Sequence, residues 1–205
     1  MHYQHLFREW RKYPNVYDIS YWDSLNSGIW EDPSTDIEDK VQFLCDWLCR
    51  TDKKEVIPQL YDRRKSFNEL VERSRSLDLI HFNHSNMAVI QSSYNVLSEV
   101  VGLGPTAISK YLHMHNPGLF LMWDNQIFRD YFHIKTVSKL TATSKRYLKF
   151  LFLMKKEAIE AISTFNVHTI KIQEKSIDKF QKSFNFEPIP RILDKYNYVT
   201  RGISK

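Results

Sequence analysis

The chain has 205 residues, 42% hydrophobic and 26% charged, with five glycines and seven prolines. This balance excludes a wholly disordered or collagen-like chain and is too poor in turn formers for a meander of short strands. The net charge of +5 is unevenly spread. Residues 134–205 carry 15 Lys and Arg against 6 Asp and Glu, a net of +9, and the preceding 133 carry 14 against 18, a net of −4. That polarity suits an anionic partner, nucleic acid first, with a solvated basic face as the plain alternative.

The opening stretch MHYQHLFREWRKY has charges inside it and no apolar block. It is unlike a secretory signal, and a cytoplasmic, nucleoid-associated or nuclear setting is expected. No apolar run reaches the ~18–20 residues that span a bilayer, so no membrane partner is expected. Residues 14–36, with Gly28, Pro33 and several acids, read as loop with one short helix. Thr35-Asp36-Ile37-Glu38 fits a capping box, and Ile37, Val41, Leu44, Cys45 and Leu48 form the inward stripe of the helix that follows. Cys45 within that stripe reads as a small core residue. With only Cys49 besides, there is no disulfide framework and no four-cysteine metal site.

A second helix is predicted over 55–77, with Val56, Leu60, Phe67, Leu70, Val71 and Leu77 inward, and a third from Ser85 or Asn86 to about Val101. Toward the end, helices are predicted over 143–162 and 169–184. In the last, Lys171, Lys175, Lys179 and Lys182 fall within about 80° at 100° per residue, opposite Ile170, Ile177, Phe180 and Phe184. Such a basic ridge can follow a phosphate backbone. Pro188 and Pro190 are read as ending regular structure. His81, His84, His113 and His115 lack the spacing and carboxylates of a metal site, so no metal is assigned.

The informative segment is Val100-Val101-Gly102-Leu103-Gly104-Pro105-Thr106-Ala107-Ile108-Ser109-Lys110. It reads as helix, tight turn, helix: two glycines permit the reversal, and Pro105 suits a first helical position. The start of that second helix presents unpaired backbone N–H groups and the positive dipole end, a ready phosphate site. The loop from Asn116-Pro117-Gly118 then leads to Trp123-Asp124-Asn125-Gln126-Ile127-Phe128-Arg129. Asp124 is a good N-cap for the next helix, which accounts for it with or without chemistry.

Over roughly Leu97 to Phe132, about a sixth of the chain, this segment resembles the helix-hairpin-helix DNA glycosylases, the superfamily of endonuclease III and the adenine glycosylase. Their pattern is a hydrophobic-x-Gly-hydrophobic-Gly hairpin, a Gly/Pro-rich loop and an aspartate. Asp124 lies 20 residues after Gly104, the endonuclease III spacing. The resemblance implies an all-α fold with two lobes around a cleft, formed by residues 1–205 as a single helical unit. Residues 97–132 would be its core and 134–205 its basic C-terminal part. It implies duplex DNA as partner, and hydrolytic removal of a damaged or mismatched base with Asp124 as the catalytic carboxylate. Gly102, Leu103, Gly104 and Thr106 would grip phosphate, in the family often with a monovalent cation on hairpin carbonyls. Trp123 would line the base pocket or wedge into the vacated stack.

Bifunctional members carry a Schiff-base Lys two residues after the second hairpin glycine. That position is Thr106 here, so the resemblance implies a monofunctional enzyme. Lys110, one turn on and on the same face, is the one displaced nucleophile to consider; a solvated lysine is its plain reading. The four-cysteine iron–sulfur motif of some members is missing from the sequence. The same hairpin also serves non-catalytic DNA-binding modules of genome maintenance or phage defence. Oligomeric state is open.

Overall fold

The computed structural model describes residues 1–26, 30, 37–165 and 175–202. Every regular element among them is helical: α1 (Tyr3–Trp10), α2 (Asn15–Asn26), α3 (Ile37–Asp46), α4 (Lys53–Ser74), α5 (Met87–Ser98), α6 (Pro105–His115), α7 (Asn125–Phe132), α8 (Ser144–Phe165), α9 (Lys175–Ser183) and α10 (Ile189–Asn197). The Thr35 capping box and the residues Gly28, Pro33, Ile170 and Lys171 lie outside the described residues, as does the side chain of Lys175.

Three local expectations are corrected. The 14–36 stretch holds a twelve-residue helix, α2, because Tyr21 is fully buried against Trp22, Trp30 and Trp47 and tertiary packing supplies what local propensity lacks. The cap before α5 is Asn83, not Ser85 or Asn86. Its Oδ1 accepts from Ser85 N at 2.9 Å and opens a 3₁₀ turn, His84–Asn86, that leads into the helix. Pro188 and Pro190 begin α10 instead of ending regular structure: Pro188 caps it, and Pro190 sits in the first turn, where a fixed φ and a missing N–H suit a helix start.

Helices α3 to α6 pack on their chain neighbours, with α3 also on α6, while α8 lies against α1, α5, α9 and α10. Helix α1 packs on α10, so the first and last described helices are adjacent. Between them is a buried charge network. Arg191 on α10 donates from Nη1 to Asp194 Oδ2 at 2.6 Å and from Nη2 to Asp18 Oδ1 on α2 at 3.1 Å. Lys195 Nζ donates to Asp18 Oδ2 at 2.7 Å and also to Glu187. The guanidinium lies over the rings of Tyr21, Tyr13 and Trp47 at 4.4, 4.8 and 5.5 Å.

The hairpin between α5 and α6 forms as expected. Gly102 has φ +84°, the left-handed turn residue, and Gly104 is the N-cap of α6 with Pro105 following. Gln59 of α4 clamps the tip: Val101 N donates to its Oε1 at 2.9 Å, and its Nε2 donates to Val101 O at 3.3 Å. A Cβ on Gly102 would meet Glu55 Oε2 at 2.7 Å, whereas one on Gly104 would meet nothing within 4 Å. Gly102→Ala is therefore expected to lower stability by about 1–2 kcal/mol, the cost of a left-handed L-residue. Gly104→Ala is expected to be near neutral in the same urea titration.

His113 is buried, its Nδ1 donating to Phe120 O at 2.6 Å and its Nε2 meeting Tyr21 OH at 3.1 Å. Burial pushes its pKa down to about 3, so the ring is neutral in the fold. The stability this gives is complete above the unfolded value near 6.5 and is lost as pH falls through the window from 6.5 to 3, at about 1.4 kcal/mol per pH unit. His113→Asn is expected to be less stable at pH 7 and to show a flatter fall of urea midpoint between pH 6.5 and 4. A parallel fall in both proteins would refute the assignment.

Candidate functional site

Four stretches of chain enclose a cleft of about 670 Å³. One wall is Trp47 to Arg50, between α3 and α4. Another is the start of α6, Gly104 to Ala107 with Lys110, and a third is Met122 to Ile127 with Arg129. The ends of the chain supply Tyr13, Asp194 and Tyr198.

The second and third walls are tied together by backbone bonds. Trp123 N donates to Ser109 Oγ at 3.1 Å, and Trp123 Nε1 donates to Pro105 O at 3.1 Å. Tyr147 OH donates to Leu121 O at 2.7 Å from behind. These bonds hold Asp124 beside the first turn of α6. Asp124 caps α7, its Oδ1 accepting from Ile127 N at 2.7 Å, and its carboxylate still lines the cleft. One residue both caps the helix and faces the open space.

Lys110 Nζ donates to Trp47 O at 2.8 Å and lies 5.3 Å from the Trp47 ring centre. It also stands by Cys49, whose thiol is pushed up by burial and pulled the other way by the lysine. Thr106 Oγ1 reaches Asn125 Oδ1 at 3.5 Å, a long contact across the mouth. No side chain caps α6, so its first turn meets the cleft through backbone.

Gly104, Thr106, Lys110, Trp123 and Asp124 therefore share one cleft. The other expected contacts do not join them. Leu103 is fully buried in the core, and Gly102 packs against α4. Lys179 and Lys182 are exposed on α9, which contributes nothing to the cleft lining. The wedge role for Trp123 is corrected by burial: it is 1% exposed, and its ring is locked among Phe128, Tyr147 and Phe150. The exposed apolar residue at the rim is Leu48, 80% exposed and held at φ +60° by the turn that ends α3.

Two hairpin carbonyls, Ser98 O and Val100 O, accept from Lys139 Nζ. A lysine ammonium is already seated there, and these residues do not fit a free monovalent cation at the same carbonyls. Among the described residues no three His, Cys, Asp or Glu side chains cluster as metal ligands. No helix among them is long and apolar enough to cross a membrane.

Sequence reasoning missed Asp194. It is 8% exposed, reaches the cleft from α10, and is bonded to Arg191. Burial pushes its carboxyl up to about 6, against the pull of Arg191 and Lys110 and with the push of Asp124. The only sequence signal for it is an Arg191/Asp194 pair one turn apart, a spacing too common to single out. Comparison with protein-family models, with curated proteins and with solved structures finds no match to this chain.

Proposed function

We propose that this chain is a DNA N-glycosylase-like enzyme that removes a damaged or mismatched base by aspartate-assisted hydrolysis. The observation that carries the reading is the convergence of the α6 first turn, Lys110 and Asp124 on one cleft. The helix groups α3–α6 and α1, α8, α9, α10 form the two lobes beside it.

A base leaving deoxyribose puts positive charge on the sugar, and a nearby carboxylate stabilises that charge or orients the attacking water. Asp124 holds that position. The target base leaves the stack to reach it, and Leu48 at the rim is the side chain placed to fill the gap. Gly104 keeps the start of α6 open, so a phosphate can approach its backbone N–H groups. Arg50 and Arg129 at the cleft, with Lys179 and Lys182 on the outer face, add sequence-independent affinity for duplex DNA in an intracellular setting. Thr106 stands where bifunctional relatives of the pattern have lysine, and Lys110 is engaged by Trp47 O. Both features favour base release without strand nicking.

A second reading is a non-catalytic hairpin module that binds DNA. It is favoured by the Asp124 Oδ1 cap bond, which gives the residue a purely structural reason to be present.

End-labelled duplexes carrying single lesions and mismatches separate the two readings. The expected result is cleavage that appears only after alkali. Asp124→Asn retains the cap acceptor and is expected to lose at least about a hundredfold in rate while keeping DNA affinity. Affinity should fall linearly on a log–log salt plot, with a slope of about −0.9 per phosphate contacted. Wild-type rates in Asp124→Asn would overturn the catalytic assignment. Salt-sensitive binding with no product on any duplex would favour the binding module.

A further inference from the structure

The cleft holds a second carboxylate, and its surroundings differ from those of the first. Asp124 sits at the positive end of α7 with one oxygen bonded to a backbone N–H, an arrangement that favours the ionised form. Asp194 enters on α10 from the side formed by the chain ends. Arg191 fixes its orientation through Oδ2. Arg191 is in turn held by Asp18 and stacked on Tyr21 and Tyr13, so the carboxyl cannot swing away without breaking a buried network.

We infer that Asp194 is the proton donor to the departing base, and that the cleft is built for a purine that is uncharged before it leaves. The inference rests on the glycosylase reading above. It adds a division of labour between two carboxyl groups whose environments pull them apart.

The step balances as follows. The Asp194 O–H bond breaks, and its proton goes to a ring nitrogen of the purine. The C1′–N bond breaks, its electron pair leaving with the base, while ionised Asp124 faces the cationic sugar. Water adds to C1′ and gives its proton to Asp124. Exchange with solvent returns the proton to Asp194. A purine already cationic through N-alkylation needs no donor.

The groups acting on Asp194 are Arg191 on its own helix, Lys110 on α6 and Asp124 at the start of α7. Tyr13 and Tyr21 stand within electrostatic reach, with Asp18 and Lys195 beyond Arg191. Asp124 and the low exposure favour the proton on Asp194, while Arg191 and Lys110 oppose it. Two carboxyls this close titrate as a coupled pair, so the pH profile belongs to both.

The test compares base release from duplexes carrying a single hypoxanthine, an uncharged purine, with duplexes carrying a single N7-methylguanine, a cationic one. Wild-type protein is expected to release hypoxanthine with a rate that falls as pH rises above about 6, and to release N7-methylguanine with no such fall. Asp194→Asn keeps an acceptor for Arg191. It is expected to lose at least about a hundredfold on hypoxanthine and to keep near-wild-type release of N7-methylguanine, which also shows that the variant is folded. Equal losses on both duplexes would mark Asp194 as structural and overturn the assignment. An unchanged hypoxanthine rate would overturn it too, as would wild-type release confined to pyrimidines. If wild-type protein releases no base from any duplex, the glycosylase reading fails and this inference falls with it.

Discussion

The pairing of Arg191 is the constraint on which the cleft depends. A guanidinium with no solvent exposure cannot remain charged in an apolar interior unless carboxylates and hydrogen bonds replace its water. Asp194 and Asp18 supply those partners, and burial alone would have driven the charge off had they not outweighed it. Removing either partner would leave a buried charge uncompensated, whereas replacing the whole set by apolar residues of similar shape could leave the fold intact. The network is thus better understood as fixing a geometry than as adding stability. It sets where α2 and α10 lie relative to Trp47, and so sets one side of the cleft.

The opposite side is set by different means. Ser109 and Trp123 tie the loop before α7 to α6, and Gln59 ties the hairpin tip to α4. These are short-range bonds on a rigid helical frame, and they place Asp124 without using any buried ion pair. One carboxylate is therefore positioned by neutral hydrogen bonds at a helix start and the other by a charged network in the interior. That contrast separates their proton affinities while both face the same space.

The hairpin and Asp124 were legible because each is written locally. Gly102 requires a positive φ, Pro105 suits only a helix start, and Asp124 caps the helix that begins at the next residue. Helix α2 was not legible, since Tyr21 is held by Trp30, Trp47 and His113, partners spread across the chain. Helix α10 was misread because a Pro-x-Pro pair carries the same residues whether a helix is ending or beginning; only Arg191 and Asp194 packing inward decide it. The lysine ridge on α9 showed the reverse limit. Helical spacing correctly puts Phe180 and Phe184 inward and Lys179 and Lys182 outward, but says nothing about which part of the molecule the outward face overlooks. Asp194 lay beyond reach for the same reason: its character comes from Arg191, Lys110 and Asp124, and two of these are distant in sequence.

The meeting of α2 and α10 also orders events in time. Helices α3 to α6 contact their chain neighbours, so they can assemble from nearby residues as the chain emerges, where ordering loops costs little. Asp18, by contrast, must wait for Arg191, 173 residues later, before its charge is answered. Through most of synthesis the aromatic shelf of Tyr13, Tyr21 and Trp47 stands without the cation that will cover it. A nascent chain therefore carries a finished hairpin and an open, sticky half-site, the species on which a chaperone or a misassembly reaction would act.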